Sequence, residues 1–188
     1  MNRICLLSFL YFLWGYCDAA SYVVESIKSR ASFEVGYIAH GKVKGVLSRL
    51  SGNVELDMAS KLGSADIVFD MAGVETGNGM TNRFIKSGSV FDTEKYPTMQ
   101  FHATRFDFEG DRLLAVNGDL TLHGVVKAVR LEVRQYLCND IADSTGQQCQ
   151  GELTTTIFRS HFGMNRLRFL VDDDVLINVS LVLDRISP

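Results

Sequence analysis

Four histidines, His40, His102, His123 and His161, are the side chains of this 188-residue chain that ordinarily titrate near neutral pH. They form no His-x-His or His-Glu-x-x-His pattern, so no zinc hydrolase is spelled out. There is no Gly-x-Ser-x-Gly nucleophile elbow either. Asp172-Asp173-Asp174 offers carboxylates to calcium but lacks the glycine and the later glutamate of a calcium loop, and reads as a solvated turn. Gly77-Asn78-Gly79 is not followed by a helix long enough to present a phosphate site. Asn178-Val179-Ser180 fits a glycosylation triplet but lies inside a strand pattern. His123 beside Gly124 reads as a hydrogen-bonded turn residue. The catalytic and metal assignments are therefore none, and no cofactor is required.

The cysteines depend on where the chain folds. Arg3, an apolar run from Ile4 to Trp14 and the small residues Ala19-Ala20 have the layout of a secretory signal peptide, too short to span a bilayer as a retained helix. Residues 1–19 are expected to be removed by cleavage after Ala19 or Ala20, leaving a domain over 20–188. Bulky Trp14-Gly15-Tyr16 argues against lipidation at Cys17. Export leaves Cys138 and Cys149 as an even pair in an oxidising compartment, and a structural disulfide is predicted. Net charge −3 with interspersed signs excludes the basic stripe of a nucleic-acid binder.

The remaining chemistry is apolar. Phe33, Tyr37, Phe69, Phe84, Phe91 and Phe101 are spread over most of the chain, joined by Phe158, Phe162 and Phe169. Phe33, Tyr37, Phe69, Phe101 and Phe158 sit in runs that alternate with period two, the pattern of half-buried strands. Eight such runs follow: Tyr22–Ile38, Val43–Asp57, Leu62–Met71, Met99–Phe108, Arg112–Leu122, Val125–Leu137, Glu152–Arg159 and Val175–Ile186. On them Phe33, Val35 and Tyr37 share a face, as do Val54 with Leu56, and Leu114 with Val116, Leu120 and Leu122. His123-Gly124 reverses the chain, because glycine tolerates the positive φ of a tight turn.

Eight long runs joined by short turns predict an all-β fold: an antiparallel up-and-down barrel whose closure removes exposed edges. One connection, Met71 to Met99, is too long to be structureless. Met80, Phe84 and Ile85 fit one helical face, so a short helical lid is expected between the third and fourth strands, a plug in the barrel base being the other possibility. The residues expected to face an enclosed apolar ligand are Phe33, Val35, Tyr37, Leu56, Phe69 and Phe84, with Phe91, Phe101, Leu120, Leu122, Phe162 and Met164. Arg159, with Arg166 and Arg168 nearby, is the candidate for a polar or anionic head group.

Several segments together resemble the YceI-like family of periplasmic lipocalin-like proteins. They are Gly118-Asp119-Leu120-Thr121-Leu122-His123-Gly124-Val125-Val126-Lys127, Tyr96-Pro97-Thr98-Met99-Gln100-Phe101 and Arg159-Ser160-His161-Phe162-Gly163-Met164. Phe33-Glu34-Val35, Val74-Glu75-Thr76-Gly77 and Asp174-Val175 follow in the same order, while Val126 and Ala128 depart from the usual threonine and proline. The resemblance implies an eight-stranded barrel holding a long isoprenoid, quinone-type or fatty chain. It makes a periplasmic carrier the leading expectation. A quinone-linked redox accessory protein or enzyme, and a stress-related interaction protein with a filled barrel, are the alternatives. A homodimer is compatible with such a domain.

Overall fold

The computed structural model describes residues 19–38, 41–141 and 146–186. Residues 1–18 of the expected leader, with Cys5 and Cys17, lie outside them, as does His40. Eleven antiparallel strands form one sheet: β1 (Ala20–Val24), β2 (Arg30–Tyr37), β3 (Gly41–Leu47), β4 (Leu50–Asp57), β5 (Leu62–Asp70), β6 (Val74–Glu75), β7 (Thr98–Glu109), β8 (Arg112–Leu122), β9 (Val125–Asp140), β10 (Gln147–Phe158) and β11 (Val171–Arg185). Eight of them close a ring, β1-β4-β5-β7-β8-β9-β10-β11 and back to β1. The 16 residues of β9 extend about 50 Å at the usual strand rise.

The eight expected strands are present, but the first two are each broken. Between β1 and β2 the Ser29 amide donates to Glu25 O at 3.0 Å. The buried Ser29 hydroxyl accepts from Val182 N at 2.9 Å and lies 3.3 Å from Val182 O. That side chain fills the place where β11 changes partner, from β2 over Val171–Ser180 to β1 over Leu183–Arg185. Between β3 and β4 the break at Arg49 is held by Asp70, whose amide donates to Arg49 O and whose carboxylate meets the guanidinium, both at 3.0 Å. Above these breaks β2, β3 and the two-residue β6 form a separate wall, leaving one end of the barrel split.

The split end is covered by the segment between β6 and β7, which confirms a lid and not a basal plug. Its helix α1 (Gly79–Lys86) starts where the Asn78 side chain accepts from the amides of Met80 and Thr81, each at 3.0 Å, an N-cap that satisfies two otherwise orphaned donors. Ile85 is buried, whereas Met80, placed on the apolar face from sequence, is exposed.

His123 (φ 53°) and Gly124 (φ 74°) make the β8–β9 turn, the doubly positive geometry of a tight hairpin. A side chain at Gly124 would come within 2.6 Å of the Tyr96 ring. The His123 ring lies 4.6 Å from that of Tyr96, and its Nδ1 is 3.2 Å from Phe162 O. A carbonyl only accepts, so the imidazole donates there and pins the lid's return and the Arg159–Phe162 turn to the hairpin.

Cys138 and Cys149 are bonded. They face each other within the β9–β10 ladder, in register, so both strands run past the polar positions at which the alternation in sequence had ended. Asp172-Asp173-Asp174 belongs to β11 and not to a turn. Asp173 accepts from Ser160 N at 2.8 Å and from Ser160 Oγ at 2.6 Å.

Candidate functional site

Inward-facing side chains leave two apolar chambers along the barrel. The lower, of about 90 Å³, is walled by Val54, Leu56, Ala65, Ile67, Phe69, Phe101 and Leu120 on one side, and by Leu153, Val179, Leu181 and Leu183 on the other. The upper, of about 160 Å³, lies under the lid between Phe33, Val35, Val43, Phe84, Phe91, Leu122 and Met164. Met99 and Ile177 belong to both walls and mark the waist between them. Each chamber far exceeds the roughly 10–15 Å³ that one water-sized sphere needs, and an apolar void of this kind stays dry and admits apolar guests.

The upper chamber owes its shape to local sequence. Phe33 lies over Gly45, opposite it in the β2–β3 ladder, where any larger residue would collide with the ring. The freed ring meets Phe91 of the lid edge-on, centroids 6.0 Å apart, a favoured aromatic arrangement.

Of the residues expected to face a ligand, Phe33, Val35, Leu56, Phe69, Phe84, Phe91, Phe101, Leu120, Leu122 and Met164 all line one chamber or the other. Tyr37 and Phe162 line neither. Tyr37 ends its strand and leans out over Gly41, 46% exposed. Phe162 is packed into the core at 2% exposure and fixes the turn that carries it. Phe158 and Phe169 also point away from the interior.

Three residues escaped the alternation argument for one reason. The ladder shifts register between Ala103 and Arg105, between Asp107 and Phe108, and between Glu152 and Leu153. Each bulge adds a residue to one strand and exchanges its faces. Phe106 and Tyr136 thereby turn into the lower chamber, and Leu113 takes the inward place that simple alternation gave to Leu114. Tyr136 brings a hydroxyl into a wall that is otherwise nearly all carbon, and burial pushes its phenol upward from the ordinary range.

Arg159 borders the upper chamber, but its guanidinium is engaged. It donates to the carbonyls of Asp172 (2.8 Å), Met164 (3.0 Å), Arg166 (2.7 Å) and Val171 (3.1 Å). Four of its five N–H groups are thus used to shape the 164–172 loop, which leaves little for a head group. His102 stands outside the barrel beside Asp66, 2.5 Å away. Among the described residues no three His, Cys, Asp or Glu side chains are grouped to hold a metal, and no helix is long and apolar enough to cross a membrane.

The YceI-like domain model matches residues 22–183. A UPF0312 protein of Vibrio campbellii is 31% identical over 118 residues, covering 61% of this chain and 62% of its own length. The chain therefore spans about six-tenths of that relative. Among solved structures, Burkholderia cenocepacia BcnA superposes with a TM-score of 0.68 at 26% identity, covering 85% of this chain and 98% of its own. A polyisoprenoid binding domain from Saccharophagus degradans gives 0.64 at 19% identity, covering 88% and 98%, a likeness of fold. With the ring of eight strands, the lidded end and a family match across nearly all of the barrel, this chain belongs to the YceI-like domain family.

Proposed function

We propose that this protein binds and carries a long apolar chain, of polyisoprenoid or similar lipid character, inside the barrel. The observation that supports this best is the pair of chambers sharing Met99 and Ile177 in walls that are almost wholly apolar. Such a cavity binds by area, with each buried CH₂ contributing about 0.8 kcal/mol. The binding property named for the Saccharophagus relative points to the same ligand class. The apolar run behind Arg3 and the Cys138–Cys149 disulfide favour work in an oxidising compartment such as the periplasm.

Native mass spectrometry of protein purified without organic extraction tests the proposal. The expected spectrum holds a lipid-sized adduct that an added long-chain polyprenol displaces. Protein that is lipid-free as isolated, and that takes up no polyprenol, would overturn it.

A further inference from the structure

The end of the lower chamber away from the lid is built around two tyrosines. Tyr136 of β9 lines that chamber, and so does Gly151, its partner across the β9–β10 ladder. A β-carbon placed at Gly151 would stand 4.0 Å from the Tyr136 ring and 3.5 Å from Leu153, both ordinary contacts. A side chain there would therefore have room to grow into the chamber beside the ring. The Tyr136 hydroxyl runs on along its own strand and lies 3.3 Å from Cys138 Sγ. Cys138 is bonded to Cys149, which ties together the two strands that carry the ring and the glycine.

Tyr22 of β1 braces this ring. Burial, and after it the hydrogen-bonding Tyr22 phenol, push the Tyr136 hydroxyl upward. β1 and β9 are not bonded to each other, because β10 and β11 stand between them in the ring of strands. The two phenols therefore meet inside the barrel and not along its wall. The Tyr22 hydroxyl reaches past β11 to donate to Gln147 Oε1 of β10 at 3.1 Å, which fixes its position. Behind the Tyr136 ring stand Tyr22, 5% exposed, and Cys149, 0% exposed. Neither lines a chamber, so this side of the lower chamber is backed by packed protein.

From this arrangement we infer that Tyr136, beside Gly151 and braced by Tyr22, is the stop against which the end of the bound chain rests, and that it sets the chain length the protein prefers. The inference rests on the carrier reading and adds its length specificity. A chain that just fills both chambers has its carbons out of water, and each CH₂ enclosed raises affinity about fourfold. Carbons beyond that length stay in water and add nothing. Affinity should therefore rise along a series of growing chains and level off at the length that spans from Tyr136 to the lid. Removing the ring moves that point to longer chains, and filling the space over Gly151 moves it to shorter ones.

Polyprenols of graded length, titrated into delipidated full-length protein and read by native mass spectrometry, test it. Tyr136→Ala is expected to move the levelling-off to longer chains and to bind the longest of the series about tenfold more tightly than wild type does. Gly151→Val, whose β-branched side chain suits a strand, is expected to move it to shorter chains. Gly151→Val leaves both phenols in place, so it decides the matter if Tyr136→Ala does not fold. An unchanged levelling-off point in either folded variant would overturn the stop. Wild-type protein that takes up no polyprenol of any length would instead strike the carrier reading, and the stop with it.

Discussion

At the scale of single residues, position in the barrel decides what a substitution does. Phe101 is buried in the lower chamber wall, where a carboxylate has neither water nor partner. Phe101→Asp is expected to abolish lipid retention, while Phe101→Leu, which keeps the wall apolar, retains it; native mass spectra of the folded variants distinguish the two. A folded Phe101→Asp protein with undiminished lipid would show that this face does not meet the ligand. Asp173 is a case of charge. Hydrogen bonds from Ser160 hold its carboxyl below the usual range. A depressed folded value stabilises above the unfolded value, about pH 4, and that contribution disappears as pH falls through the folded value. Asp173→Asn should therefore lower the melting temperature slightly at neutral pH and have no effect once the pH lies well below the folded value, as a thermal-unfolding series would record. The residue is largely solvated, so the difference is small.

At the scale of elements, the ladder and its interruptions share the work. The disulfide joins β9 to β10 in register, across a sequence separation of 11. Cys138→Ser with Cys149→Ser should cost about 3 kcal/mol by loop-closure entropy, measured as a lower denaturation midpoint, with the lipid adduct retained because neither cysteine lines a chamber. The β8–β9 hairpin is fixed more locally. Gly124 combines a φ of 74° with a close approach to Tyr96, so Gly124→Ala meets both backbone strain and a clash. A loss of about 1–3 kcal/mol is expected. Hydrogen exchange should rise first in the lid's return and the Arg159–Phe162 turn, which this hairpin holds.

For the whole molecule, the waist at Met99 and Ile177 sets how far a guest can travel. Both residues border both chambers, and methionine is flexible enough to let a chain pass. Met99→Phe should confine ligand to the upper chamber and shift the bound population toward shorter chains, read from adduct masses across a polyprenol length series. An unchanged length preference would mean that the waist is no barrier. Closure of the ring by β1 against β11 makes this geometry possible, since it completes the wall around both chambers.

The sequence by itself determined the antiparallel all-β barrel, the lid, the disulfide and most of the lining, because each is encoded locally. Period-two alternation places Leu56, Phe69, Phe101 and Leu120 on one face, glycine at 124 turns the chain, and two cysteines remain to pair. Only the tertiary structure decided the breaks in the first two strands, where Ser29 and Asp70 answer to partners far along the chain. It likewise decided the bulges that bring in Phe106, Leu113 and Tyr136, the outward turn of Tyr37 and Phe169, and the commitment of Arg159 to backbone carbonyls. A bulge arises from the register between two strands, and a guanidinium's partners come from loops that fold back on it. Neither quantity exists until the chain has closed on itself.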